Sequence, residues 1–366
     1  MPRKKKILFG AVDIGHRIEV YSSFIQKYYP DKLKPESLVV FLLPKEHYKM
    51  EYTYQYHFFG RSALYRWSRS LVNFIFCLFR FDIFHFLSGE TLLTRKLRRF
   101  ELMIYKLLGK KIIMQFVGSD IRSTDYIKWK EKNIEKYLGG EKGLPQPRAW
   151  QKKLVRDAEK FADSVLVSTP DLTEIIPSAH YYPVMLDVDK FLEELSGTWA
   201  EEKKENEIVI LHAPSNIFMK GTRLIHDSLK KISRESRHNI RLVLPAEKML
   251  DNPKIYSVSR YELYKLYKEA DIIIDQMLIG WYGLQSVEAV AAGKPIVCFI
   301  EEHLKKYLFP GCPIIIADKN NFEARLESCI ENIIAGNKPG ASGLDWVRKY
   351  HSIENNHAEL TAAWGV

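Results

Sequence analysis

The chain has 366 residues, roughly twice the length of a common domain, so two domains are expected. Apolar residues make up 46% and charged residues 27%, which excludes wholesale disorder, and 19 Gly with 16 Pro excludes a collagen-like or low-complexity chain. The formal charge of +10 lies in the first half: residues 1–190 carry 33 Lys/Arg against 21 Asp/Glu, a balance of +12, and the remainder 22 against 24, a balance of −2.

The first residues, Met1-Pro-Arg-Lys-Lys-Lys6, run at once into Ile7-Leu-Phe9 and Asp13, an apolar run too short for a secretory signal. The cysteines, Cys77, Cys298, Cys312 and Cys329, are scattered, with no pair at metal-ligand spacing. A reduced, cytoplasmic protein is expected, with no metal and no cofactor. The longest uncharged apolar stretch in the basic region, Leu71 to Phe79, is far short of the ~18 residues of a spanning helix.

In chain order, short apolar runs alternate with longer amphipathic ones, the pattern of a parallel sheet covered on both faces. Strands are expected at Lys6 to Val12, Ser37 to Leu43, Phe81 to Phe86, Lys111 to Val117 and Ser164 to Ser168. A second series follows at Glu207 to His212, Asn239 to Pro245, Asp271 to Asp275, Pro295 to Ile300 and Pro313 to Ala317. Between the series, Phe191 to Asn206 is polar, contains Glu201-Glu-Lys-Lys-Glu-Asn206, and reads as a linker that is neither strand nor buried helix. The expected domains are therefore 1–192 and 193–366, with the final helix crossing back to the first. Neither half carries a Gly-x-Gly-x-x-Gly after its first strand or a P-loop, so a dinucleotide oxidoreductase or P-loop ATPase is disfavoured.

The most informative segment runs from Asp271 through Gln276, Gly280-Trp-Tyr-Gly283-Leu284 and Glu288 to Gly293-Lys-Pro295. It reads as strand, glycine-bounded loop, helix from Gly283, and turn into the next strand. The amides opening that helix would form an anion site, and Glu288, expected on the helix surface, would reach a ribose diol. On spacing alone, an ordinary crossover with a surface glutamate fits equally well.

This segment resembles the nucleotide-sugar signature of the group 1 (family 4-like) glycosyltransferases, in which a Glu-x7-Glu pair brackets a glycine loop and leads into Glu-Ala-x-Ala-x-Gly-Lys-Pro. The resemblance implies a GT-B fold: α/β, two Rossmann-like parallel-sheet domains facing across a cleft. It further implies that Glu288 binds the ribose and that Gly280 to Leu284 surround the diphosphate and donor sugar; Gln276, Trp281 and Tyr282 are candidates for the sugar contact of the family's first glutamate, with packing as the alternative for each. The first glutamate of the pair is replaced by Gly280. A second match, Ile208 to Thr222, places Lys220-Gly221 where the family keeps a cation for the leaving diphosphate. Ser215 stands in place of the family's Arg, Asn216 follows it, and Arg223 is a candidate second cation. His212 ends the strand as either a ligand contact or a core histidine.

The first half resembles the same family more weakly. Val12-Asp-Ile-Gly15-His16-Arg17 stands where the family has its glycine-rich turn near diphosphate and acceptor. Met114-Gln-Phe-Val117-Gly118-Ser119-Asp120 resembles its His-Gly-Ser-Asp loop, with Val117 in place of the histidine. By resemblance Gly15 lies on the donor side and His16, Arg17, Gly118 and Ser119 on the acceptor side, while Asp120, beside the lost histidine that would face the reacting sugar, is a catalytic candidate contacting acceptor or donor; a helix cap is the alternative for Asp120. Asp187-Val-Asp189 imitates a metal-binding Asp-x-Asp but sits at the interdomain crossing, where a hinge role is expected.

The implied activity is transfer of a sugar from a nucleotide-sugar donor to a hydroxyl of a surface polysaccharide or glycolipid, with Lys220, Glu288 and Asp120 central, retaining and metal-independent. Two alternatives remain: a sugar-nucleotide epimerase of the same fold, and a non-catalytic basic module for membrane surfaces or glycans, since Gly280 and Val117 both replace functional residues. Arg61 to Arg80 and Arg95 to Lys111 interleave Arg/Lys with aromatic and aliphatic residues, which suits the surface of an anionic membrane and a lipid-linked acceptor, with Arg95, Lys96, Arg98 and Arg99 as headgroup contacts. No nucleic-acid motif accompanies these charges.

Overall fold

The computed structural model describes residues 3–41, 52–58, 60–122, 149–200, 204–247, 250, 258–337 and 339–366. The chain divides into two compact units, the first built from Met1–Ser123, Pro147–Met185 and Asn356–Val366, the second containing Leu186–Asn355. Leu42 and Leu43, the expected end of the second strand, and Glu201 to Lys203 of the expected linker lie outside the described residues.

The first unit runs β1 (Lys5–Ala11), α1 (Arg17–Tyr28), β2 (Leu33–Phe41), β3 (Tyr54–His57), α2 (Ala63–Arg80), β4 (Ile83–Leu87), α3 (Arg98–Leu107), β5 (Lys111–Phe116), α4 (Ala149–Phe161), β6 (Ser164–Val167) and β7 (His180–Tyr181). The strands form one parallel sheet in the order β3-β2-β1-β4-β5-β6-β7. Beyond the lysines that open β1 and β5, its central strands are buried, as a parallel sheet with both faces covered requires, so Ile7-Leu-Phe9 and Ile112-Ile-Met114 are apolar without alternation.

The second unit runs α5 (Val188–Ser196), β8 (Glu207–Leu211), α6 (Ile217–Lys220), α7 (Thr222–Glu235), β9 (Asn239–Val243), α8 (Arg260–Glu269), β10 (Ile272–Ile274), α9 (Leu284–Ala291), β11 (Ile296–Cys298), β12 (Ile315–Ile316), α10 (Phe322–Ile334) and α11 (Gly343–His351). Its parallel sheet has the order β12-β11-β10-β8-β9. Helices α7 and α10 close one face through Ile225, Leu229, Leu326 and Ile330. The last helix, α12 (Ala358–Trp364), belongs to the first unit, where Trp364 packs edge-on to Phe9 and its indole N–H donates to His85 Nδ1 at 3.2 Å.

The structure departs from the sequence expectations at three elements. β3 and β7 are edge strands, short and half-buried or exposed, so they carry no apolar run that periodicity could detect. Part of the stretch expected to be a linker is helical: Asp187 caps α5 by accepting from the Lys190 amide at 3.1 Å, and Phe191 is fully buried, edge-on to Tyr264 at 5.1 Å. Among the described residues, no helix is long and apolar enough to cross a membrane.

Candidate active site

Ligands of open parallel sheets bind at the carboxyl ends of the strands. In the second unit the segments following β8, β10 and β11 meet at that edge. The Met277 amide donates to the Lys220 carbonyl at 3.0 Å, Phe299 to Gln276 at 2.9 Å, and Glu301 to Gly280 at 3.0 Å.

Asp275 organises this edge. It follows the three isoleucines of β10, is fully buried, and pairs with the Lys220 ammonium. Its other oxygen accepts from Ser286 Oγ at 2.6 Å and from the Gly283 amide at 3.3 Å. Burial works to raise the Asp275 carboxyl, but the Lys220 charge and these hydrogen bonds outweigh it and hold the group below the usual carboxylate range. One carboxylate thus fixes both the ammonium at the end of α6 and the first turn of α9. A Cβ on Gly283 would lie 3.8 Å from Lys220 Nζ, so the cation stands at the opening of that helix, beside the Leu284 and Gln285 amides that have no earlier carbonyl to bond within it.

Gly221 follows Lys220 with φ +73°, and a Cβ there would meet Leu278 Cγ at 2.8 Å, so glycine is required for the 276–283 loop to rest against α7. Ser215 is exposed, and Asn216 accepts from the Met219 amide at 3.1 Å, capping α6. His212 is buried and satisfied on both nitrogens, by the Ile274 carbonyl and Thr222 Oγ1, each at 3.0 Å; burial lowers it to about 4, so it is a neutral core histidine. Arg223 is half-buried at the second position of α7.

Several expected contacts are occupied elsewhere. Gln276 is fully buried: its Oε1 accepts from the Leu278 and Ile279 amides at 2.9 and 2.6 Å, and its Nε2 donates to the Phe299 carbonyl at 2.6 Å. It holds the loop's shape rather than facing a ligand. Trp281 and Tyr282 are buried and stacked on each other at 4.8 Å, and the Tyr282 hydroxyl meets His351 Nε2 at 3.2 Å, so both are packing residues under α11. Glu288 is not on the helix surface. It is 5% exposed, accepts from the Tyr267 hydroxyl at 3.0 Å, and burial raises it to about 7. Gly280 has φ +81°, and a Cβ there would lie 2.9 Å from Glu301 Oε2, so the place of the family's first glutamate is lined by the carboxylate of Glu301.

In the first unit Gly15 and His16 are both left-handed and precede α1, whose first residue, Arg17, is buried. Asp13 accepts from the Ile18 amide at 3.2 Å and from the Tyr52 hydroxyl at 3.0 Å, binding this turn together. Asp120 is buried and spends its carboxylate on the amides of Val117 and Gly118, each at 2.8 Å, and Ile121 at 3.0 Å. It therefore closes its own turn instead of presenting a carboxylate, and no described helix begins at it, so it is not seen as a helix cap. Gly118 lies against Arg122, and Ser119 is exposed, its carbonyl accepting from Gln151. Asp189 pairs with Arg348 at 2.8 Å.

The structure thus brings Lys220, Gly221, Gly283 and Leu284 together and leaves Gln276, Trp281, Tyr282 and Asp120 as scaffold. Sequence reasoning missed Asp275 and Glu301. Asp275 carries one local signal, an acid placed directly after a buried strand; Glu301 has none, because its relation to Gly280 is made only when β10 and β11 pair.

No family model matches the chain, and no curated protein sequence matches it. Its fold is GT-B, shared over nearly the whole chain with solved glycosyltransferases. Sucrose-phosphate synthase of Thermosynechococcus elongatus superposes with a TM-score of 0.64 at 10% identity, covering 99% of this chain and 98% of that one. HepE of Anabaena, solved in complex with UDP-glucose, gives 0.63 at 14%, covering 98% and 100%. The catalytic domain of starch synthase IV of Arabidopsis thaliana, bound to ADP and acarbose, gives 0.62 at 10%, covering 99% and 98%.

Proposed function

We propose that the chain is a nucleotide-sugar-dependent glycosyltransferase of the group 1 type, with the donor held on the second unit. The observation that carries this reading is the Lys220 ammonium, held by buried Asp275 at the opening of α9. As the bond between sugar and diphosphate breaks, negative charge grows on the leaving phosphate. A pre-positioned ammonium beside oriented helix amides stabilises that charge more in the transition state than in the bound donor. By the resemblance, the ribose contact is assigned to Glu288, which lies a turn further along α9, buried against Tyr267. The ligands named for HepE and starch synthase IV, UDP-glucose and ADP, support a nucleoside diphosphate as the leaving group.

The acceptor is a hydroxyl of a polysaccharide or glycolipid made on the cytoplasmic side, approached through the Gly15 to Arg17 turn and the Gly118-Ser119 loop. Retention of configuration and independence of divalent metal complete the proposal, Lys220 supplying the positive charge at the phosphate.

A panel of nucleotide sugars tested by thermal shift and by consumption of donor decides the reading. One donor should stabilise the protein and be transferred to an added acceptor in the presence of EDTA. Lys220→Ala should lower turnover by roughly a hundredfold or more while changing affinity for the bare nucleoside little. Donor converted without acceptor to an epimeric sugar would establish the epimerase instead, and neither stabilisation nor consumption by any donor would establish a binding module.

A further inference from the structure

Helices α2 and α3 lie side by side on one face of the seven-stranded sheet, their inner faces joined through Phe74 and Tyr105 with ring centroids 5.6 Å apart. A helix covering a sheet normally turns polar residues outward. Here the outer face of α2 carries a second apolar stripe: Leu64, Trp67, Val72, Ile75 and Phe79 are 75, 50, 54, 48 and 80% exposed. The stripe extends for ~22 Å at 1.5 Å per residue. α3 and its flanks repeat the arrangement with exposed Leu97, Phe100, Met103 and Leu107. Every residue from Arg61 to Ser68 is exposed, so the first turns of α2 project from the unit.

The unpaired charge on this face is positive, although Arg80 is held by Glu36 and, in the adjoining pocket, Arg3 by Asp82. From Arg61 to Phe81 there are four arginines and no acidic residue, and exposed Lys96 and Arg99 flank the stripe on α3. Arg98 does not contribute; it is 1% exposed and donates inward to the Gly89 carbonyl, while Arg95 is paired with Glu90. Beyond the last turn of α2 a pocket of about 480 Å³ is lined by Arg3, Lys4, Lys6 and Arg80 with Phe76 and Phe79, the same combination of cation and apolar surface. A second copy meeting this face about a two-fold axis would oppose arginine to arginine. Its complement is a surface both anionic and apolar, the headgroup and acyl boundary of an anionic leaflet, where arginines reach phosphates while Trp and Phe enter beneath them.

We propose that the outer face of α2 and α3 is a membrane-docking surface that seats the first unit on an anionic leaflet. This stands independently of the transferase reading, since it uses no residue of the donor site. The test uses the full chain, mixed phosphatidylcholine/phosphatidylglycerol vesicles and pure phosphatidylcholine vesicles. The protein should co-sediment with the mixed vesicles at low salt and be released by high salt. Arg61→Gln/Arg66→Gln/Arg99→Gln should weaken binding on the order of a hundredfold, at about fivefold per cation. Leu64→Ser/Phe79→Ser/Leu107→Ser should release the protein while leaving its circular dichroism and thermal midpoint unchanged, because all three side chains are exposed. Equal binding to both vesicle types, binding untouched by both triple variants, or a self-associated protein made monomeric by the serine variant without any vesicle binding would each overturn the proposal.

Discussion

At the scale of single residues, Glu288 shows how burial changes a reading taken from spacing. The interval from the glycine loop is as expected, but α8 lays Tyr264 and Tyr267 over the carboxylate and removes it from water. Its ordinary value of 4.5 rises to about 7, with burial the largest cause, opposed by the Tyr267 hydrogen bond and the Arg260 charge. The folded protein thus holds this proton more tightly than the unfolded chain. The associated stability is complete below about pH 4.5 and is lost as pH rises through about 7. Glu288→Gln keeps an acceptor for Tyr267 and cannot ionise. Its thermal midpoint should match the parent's at low pH and exceed it at pH ~8, while nucleotide affinity at that pH falls about tenfold through loss of a charged acceptor. A midpoint difference that is the same at both pH values would show that Glu288 ionises as freely in the folded protein as in the unfolded one.

At the scale of elements, the loop from Gln276 to Gly283 is shaped from outside its own sequence. Gln276 ties the loop's amides to β11, Gly221 gives Leu278 its space, and Glu301 occupies the room beside Gly280. Restoring the family's glutamate by Gly280→Glu would impose a side chain at φ +81° and place its Cβ 2.9 Å from an existing carboxylate oxygen. A loss of about 1–3 kcal/mol in denaturant unfolding is expected from the backbone strain alone. Gly280→Glu/Glu301→Gly should recover part of that loss by removing the clash and the like charge. If the double variant is no more stable than Gly280→Glu, the two positions do not share this space. α5 and α2 carry the same lesson: a capping Asp187 and a single Phe191 turn a polar stretch into a docked helix, and α2 is apolar on both faces, so periodicity locates the helix but not its buried side.

At the scale of the whole molecule, the two sheets are assembled by strands distant in sequence, and the chain's last turn returns to its first strand. Trp364 is fully buried, edge-on to Phe9 and Tyr21, and donates to His85, whose other nitrogen meets Gln115 Oε1 at 3.2 Å. Burial lowers His85 to about 3, so this arrangement holds a neutral imidazole throughout the neutral range. Trp364→Ala removes the packed indole and strands a buried acceptor, for an expected loss of ~3–5 kcal/mol. Hydrogen exchange should then accelerate in β1 and β4 and leave β8 and β10 unchanged. Uniform acceleration in both units would show that they unfold as one.

The sequence by itself determined the architecture and singled out a candidate site. Continuous apolar runs such as Ile7-Leu-Phe9 and Ile272-Ile-Ile274, alternating with amphipathic stretches, suit doubly covered parallel strands, and Lys220-Gly221 and the Gly283 helix start belong to local strand-loop-helix patterns complete within a few residues. What tertiary structure alone decided is which side chains at that edge remain available. Asp275 pairs with a lysine from a different strand-helix unit, Glu301 meets Gly280 across paired strands, and Gln276, Trp281, Tyr282 and Asp120 are committed to their surroundings. Hydrophobic pattern and turn chemistry are properties of neighbours along the chain. Burial and hydrogen-bond partnership are properties of neighbours in space, fixed only once the strands have paired and the helices have closed over them.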